Sequence, residues 1–142
     1  MRGSGALRVL LVASIVATGF HYTDNFIAIS TYPGTDTIDP GLGRVATAAS
    51  WIALTAVGLL GYRLYLRARH PAAELCLAIY SVTGISTLGH YLSGGTSRLP
   101  AWRHVSIASD GILGLAILAF AFWAVTAQPW RAQRAVSQRA VS

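Results

Sequence analysis

Four predominantly apolar stretches, at about residues 6–29, 45–64, 73–92 and 102–127, constrain this chain more than any other feature of it. Each is about long enough to cross the roughly 30 Å hydrocarbon core of a bilayer as a helix. Lipid offers the backbone no hydrogen-bond partner, so a spanning segment must satisfy its own N–H and C=O groups, which at this length means α-helix. Charged residues make up only 11% of the chain, far below the roughly 25% of a soluble domain. The links are short and carry turn chemistry, with Tyr32-Pro33-Gly34 and Asp39-Pro40-Gly41 in the first, Arg67 to Pro71 in the second and Ser93 to Pro100 in the third. Short links favour antiparallel neighbours. The predicted fold is an all-α integral membrane protein: one four-helix transmembrane bundle running up-down-up-down over residues 1–128, followed by a basic tail at 129–142.

Arginine placement orients the bundle. One side of the membrane receives Arg2, Arg8, Arg63, Arg67, Arg69, Arg131, Arg134 and Arg139; the other receives Arg44, Arg98 and Arg103, with Asp36 and Asp39. The positive-inside rule then places both termini in the cytoplasm. A nucleic-acid binder would gather its charge on one face of a soluble fold. Here the arginines flank apolar runs, so the expected partner is the lipid bilayer and not nucleic acid. Trp51, Trp102, Trp123 and Trp130 fall near span ends, as interfacial anchors do, and the tail suits anionic headgroups. Arg2 and Arg8, followed by an apolar run and Ala17-Thr18-Gly19, have the outline of a signal peptide. Polar residues spaced along one face of that run fit a retained helix better. Heavy Ala, Gly and Arg use without any lysine suits a GC-rich bacterial genome, and so a multi-pass protein of the bacterial cytoplasmic membrane.

The exceptions to apolarity are concentrated. His21-Tyr22-Thr23-Asp24-Asn25 lies near the end of the first stretch, and His90 and His104 fall at the same level of the same leaflet. Asp110 sits roughly 9 Å deeper than His104 by helical rise. Ionisable residues at membrane depth are costly and mark function. Ser14, Thr18 and His21 follow i, i+4, i+7 spacing, which puts them on one helical stripe. Thr83, Thr87 and His90 repeat that spacing 69 residues later, with Tyr91 matching Tyr22. A duplicated helical hairpin would give such a repeat, but spans two and four do not align at the same offset, and the stripes do not depend on it. In an up-down-up-down bundle the first and third helices are diagonal, so both stripes face the axis and His21 meets His90. The polar end then gathers His21, Asp24, Asn25, His90, Tyr91, His104 and Asp110.

The order His21-x-x-Asp24-Asn25, then Tyr32-Pro33, then Gly89-His90-Tyr91 resembles a pattern in small four-span bacterial membrane proteins of unknown activity. The resemblance implies the four-span fold and carries no activity, cofactor or site role.

Several chemistries suit the cluster. His21, Asp24, His90 and His104 form a donor set for a divalent transition metal. Alternatively, His21 and His90 are axial ligands to a haem between helices, with Gly84, Gly89, Gly111 and Gly114 leaving room for the ring. A small polar ligand is the third choice, with Asn25 and Tyr91 among its contacts and Asp110 as a proton carrier. The expected function is a membrane binding module with an outward-facing His/Asp cluster. Its rival is an accessory or scaffold subunit, working with membrane-protein partners or as a homo-oligomer, whose polar groups only lock helix packing. On that view His21 pairs locally with Asp24, Arg103 neutralises Asp110, and Ala46, Ala48, Ala49 and Gly58 serve helix contacts. His70 reads as solvated, and Glu74 as an ion-pair partner of Arg67 and Arg69. No nucleophile stands beside a base in sequence, and the lone Cys76 lies in the half away from the site histidines. Catalytic residues and enzyme status are therefore left open.

Overall fold

The computed structural model describes residues 3–32, 35, 37–92 and 94–127. The basic tail, Arg2, Trp130, Pro33-Gly34 and Asp36 lie outside the described residues. Four helices account for most of the rest: α1 (Ser4–Ile27), α2 (Pro40–Leu66), α3 (His70–Ile85) and α4 (Ala101–Ala127). A 3₁₀ segment, Ser86–Tyr91, carries α3 onward, and single 3₁₀ turns sit at Ile29–Thr31 and Thr96–Arg98. Counting α3 with its continuation, all four are long and apolar enough to cross a membrane.

Helix boundaries follow from local chemistry. Asp39 caps α2, its Oδ1 accepting from the Leu42 N–H at 2.9 Å, and Pro40 takes the first turn, where a missing N–H costs nothing. The helix therefore starts five residues before the expected position, and Trp51 lies roughly 16 Å along it. There it packs on Gly19 and donates from Nε1 to Thr18 Oγ1 at 3.2 Å. The turn into α3 is tight enough to force Ala68 to φ 56°, and His70, expected in solvent, instead packs edge-on against Tyr65 with ring centroids 5.3 Å apart.

The helices form a bundle in which α1 packs on α2 and α4, α3 packs on the same two, and α1 meets α3 only sparingly across the diagonal. Neighbours run antiparallel: Gly3 at the start of α1 meets Trp123 near the end of α4, while Asp24 near the end of α1 meets Arg103 at the start of α4. The core divides into two halves of different character. Leu7, Leu11, Tyr65, Leu77, Ile117 and Phe120 are among the residues that fill one half with apolar side chains. The other half buries Ser14, Thr18, His21, Thr83, Thr87, Ser106 and Asp110. Both predicted polar stripes thus face inward. Glycines set the closest helix approach, with Gly84 of α3 against Gly114 of α4 and Gly58 of α2 beneath the Tyr80 ring.

Candidate functional site

His21 is the centre of the polar half, with no exposed surface. It stands one turn below Asn25, whose Nδ2 donates to His21 Nε2 at 3.0 Å, and His21 Nδ1 faces Ser106 Oγ of α4 at 3.5 Å. Across the diagonal, the His90 ring lies 5.6 Å away between centroids. Helix α3 has become 3₁₀ by that point, so the two histidines meet although the helices bearing them scarcely touch elsewhere. Tyr32, from the link after α1, closes the group from the end of the bundle, its ring 5.8 Å from His21 and 4.8 Å from His90.

Asp24 does not turn back to His21. Its carboxylate accepts from the Tyr32 hydroxyl and is clasped by Arg103, with Nε 2.7 Å from Oδ2 and Nη2 3.0 Å from Oδ1. Arg103 also donates from Nη1 to Thr31 Oγ1 at 2.7 Å and lies over the Tyr32 ring, 4.9 Å from its centroid. This corrects both pairings expected from the sequence: Arg103 neutralises Asp24, and Asp110 is left with neither carboxyl oxygen hydrogen-bonded, in a fully buried position.

His104 also departs from expectation. Its Nδ1 is 3.1 Å from the Tyr91 hydroxyl, and the two rings stack at the surface, apart from His21 and His90. Among the described residues no three His, Cys, Asp or Glu side chains are grouped as a metal ion would require. The glycines expected to make room for a flat ring are largely consumed by helix packing. A Cβ on Gly114 would meet Ser81 O at 2.8 Å, and one on Gly111 would meet Leu88 at 2.7 Å.

What the structure does open is a cleft of about 260 Å³ between α1, α2 and α3. Its walls are His21, Tyr22 and Asn25 of α1, Ala46, Thr47 and Ser50 of α2, and Ser86, Thr87 and His90 of α3 and its continuation. Between Gly43 and Gly58 the residues of α2 are half-buried or exposed, and Ala46, Thr47 and Ser50 of that run form one wall. Among the described residues the lining has no Arg, Lys, Asp or Glu. Asn25 Oδ1 has no hydrogen-bond partner and no exposed surface, so it lies behind the wall and not in the open space. Thr47 and Thr87 donate their hydroxyl hydrogens to Gly43 O and Gly84 O, 2.8 and 2.7 Å away, so their oxygens stand as acceptors. Of the α2 residues of this wall, Thr47 and Ser50 carry no signal of their own in the sequence, and Ala46 reads there as a helix-contact residue.

Comparison with protein-family models, curated proteins and solved structures returns no match. Function is therefore read from the cleft's own chemistry.

Tyr32 ties the end of the bundle to alkaline pH. Burial, then the hydrogen bond to Asp24, pushes its phenol above the ordinary value. A raised folded pKa contributes stability that is complete below the unfolded value, about 10, and drains away as pH rises beyond it. The protein should thus lose stability above about pH 10, and Tyr32→Phe should flatten that loss. SDS-unfolding midpoints measured from neutral to alkaline pH check this; equal slopes in the two proteins would refute it.

Proposed function

We propose that this chain is an integral membrane binding module whose polar half holds a small, uncharged, hydrogen-bonding group in the cleft between α1, α2 and α3. The observation that carries the reading is the cleft itself: two imidazoles, an amide and a set of hydroxyls line one space, without a charged side chain in the lining among the described residues. The volume is at the small end of ligand sites, which favours a small group over a haem macrocycle. The apolar packing of the opposite half, from Leu7 to Phe120, supports binding from one side in preference to passage through the bundle. His90, Thr47 and Ser50 are the residues expected to touch the ligand, with His21 and Asn25, bonded to each other, backing that wall. Asp24 and Arg103 hold the end of the bundle in place around them.

The scaffold reading draws on a different observation. Tyr80 bonds Ser14 at 3.1 Å and Trp51 bonds Thr18, so some of the polar stripe does join helices. Wild-type protein and His90→Ala, purified in mild detergent, separate the two by native mass spectrometry, elemental analysis and absorption. The binding reading expects a stoichiometric low-mass adduct on the wild type that is lost from His90→Ala, with little change in the unfolding midpoint. A bare wild-type chain, with His90→Ala merely less stable, would leave the scaffold reading. A stoichiometric transition metal would keep the module and replace its ligand.

A further inference from the structure

A smaller, mostly apolar hollow of about 130 Å³ lies on the seam between α1 and α2, lined by Tyr22, Thr23, Phe26, Ala48 and Trp51. It reaches the surface, since Thr23 is exposed and Phe26 is 43% exposed. The Thr23 hydroxyl is already committed, donating to Gly19 O at 2.6 Å. Trp51 forms the deeper part of the lining, where it packs on Gly19 and bonds Thr18. Surface beside the hollow is apolar too: Ile52, next to Trp51, is 62% exposed. An open apolar slot on the side of a membrane-spanning helix pair suits a hydrocarbon chain.

Arg44 stands at the edge of this slot. It precedes Ala48 by one turn of α2, and its Nε donates to Phe26 O at 3.1 Å, so it adjoins two of the lining residues. Helical side chains lean toward the helix N-terminus, which for α2 is the end of the bundle. By helical rise Arg44 lies roughly 6 Å from that end and Trp51 roughly 16 Å. The arginine is exposed, and among the described residues nothing accepts from Nη1 or Nη2 and no carboxylate pairs with it. The described carboxylates at this end are engaged elsewhere, Asp24 by Arg103 and Tyr32, and Asp39 by the Leu42 N–H. A guanidinium with its outer edge open is a fork for phosphate oxygens. Charge above and hydrocarbon lining below match a head and a tail in one molecule. A zwitterionic lipid would bring a cation of its own to the arginine, whereas an anionic one supplies the missing counter-charge.

We propose that an anionic phospholipid docks on the α1–α2 seam, its phosphate on the Arg44 guanidinium and a stretch of one acyl chain in the hollow against Phe26, Ala48 and Trp51. The site rests on the chain lying in a bilayer and does not depend on the cleft or its ligand. Phosphatidylcholine vesicles bearing the full chain, with a small fraction of brominated-tail phosphatidylglycerol or brominated-tail phosphatidylcholine, test it through Trp51, because bromine quenches tryptophan at contact range. The quenching that belongs to Trp51 is the part that disappears in Trp51→Phe. It should saturate at an about five-fold lower mole fraction of brominated phosphatidylglycerol than of brominated phosphatidylcholine, the worth of one basic residue at an anionic surface. Arg44→Gln should erase that difference, and Arg44→Lys should keep most of it. Ala48→Phe, which fills the hollow, should remove Trp51 quenching by both lipids. Equal saturation by the two lipids in the wild type, a difference that survives Arg44→Gln, or Trp51 quenching that persists in Ala48→Phe overturns the proposal. So does competition by glycerol phosphate in the buffer, which would make the occupant of the fork a water-borne phosphate. Quenching by neither lipid would take the membrane reading down with it.

Discussion

Arg103→Ala and Asp24→Ala should each cost about 3–5 kcal/mol of stability, the effect of breaking one partner out of a largely buried ion pair. The side chains are 11% and 16% exposed, so solvent screens them little. The guanidinium holds both carboxylate oxygens and the Thr31 hydroxyl, and covers the Tyr32 ring, so it fastens α4 to the end of α1 and to the following link. Without it, the Asp24 carboxylate keeps only the Tyr32 hydroxyl among the described residues. The double variant Asp24→Asn/Arg103→Gln should be less damaging than the sum of the single changes, because neither charge is then stranded. SDS-unfolding midpoints provide the measurement, and single-variant losses below about 1 kcal/mol would mean that the pair behaves as an exposed one. Asp110 is the internal contrast. Its carboxyl oxygens already lack partners, so Asp110→Asn removes no interaction and should shift stability by no more than about 1 kcal/mol.

That contrast also shows where sequence reading stops. Span length and the i, i+4, i+7 stripes report directly on a bilayer's thickness and a helix's period, so the four helices and the inward-facing Ser14, Thr18, His21, Thr83 and Thr87 were legible. The meeting of His21 with His90 followed from diagonal placement. The partner of Asp24 did not, because the choice lay between a histidine one turn away and an arginine 79 residues distant, and only the fold brings the second within reach. Arg103 and Asp110 share a helix face but are separated by about two turns, and the long arginine side chain runs toward the end of the bundle and not down into it. His104 was misplaced for a countable reason. Ser106 and Asp110 turn inward together at i, i+4, whereas a residue two before Ser106 sits roughly 200° around the helix and cannot join them. The cleft was invisible because its walls come from three helices that only the fold brings together.

Gly84→Ala and Gly114→Ala should be severe, each losing at least about 1–3 kcal/mol through overpacking, while Gly89→Ala should be nearly neutral. All three are glycines of or near the same helix pair, and sequence alone gives no reason to separate them. The structure does. A Cβ on Gly84 would fall on the Asp110 carbonyl and within 3.1 Å of Gly114 Cα, and one on Gly114 would lie 2.9 Å from the Ile85 nitrogen. These are backbone atoms, which no side-chain rotation can clear, so α3 and α4 must move apart. Around Gly89 nothing lies within 4 Å. Small residues that let backbones approach are the usual means of packing helices in lipid, where apolar side chains gain little from leaving it. The damage should also reach the site, since the turn carrying Asp110 follows the one carrying Ser106, the α4 contact of His21. Gly84→Ala should therefore lower the unfolding midpoint and the bound adduct together. A variant that lost stability but kept the adduct would show that the α3–α4 contact and the cleft are independent parts of the bundle.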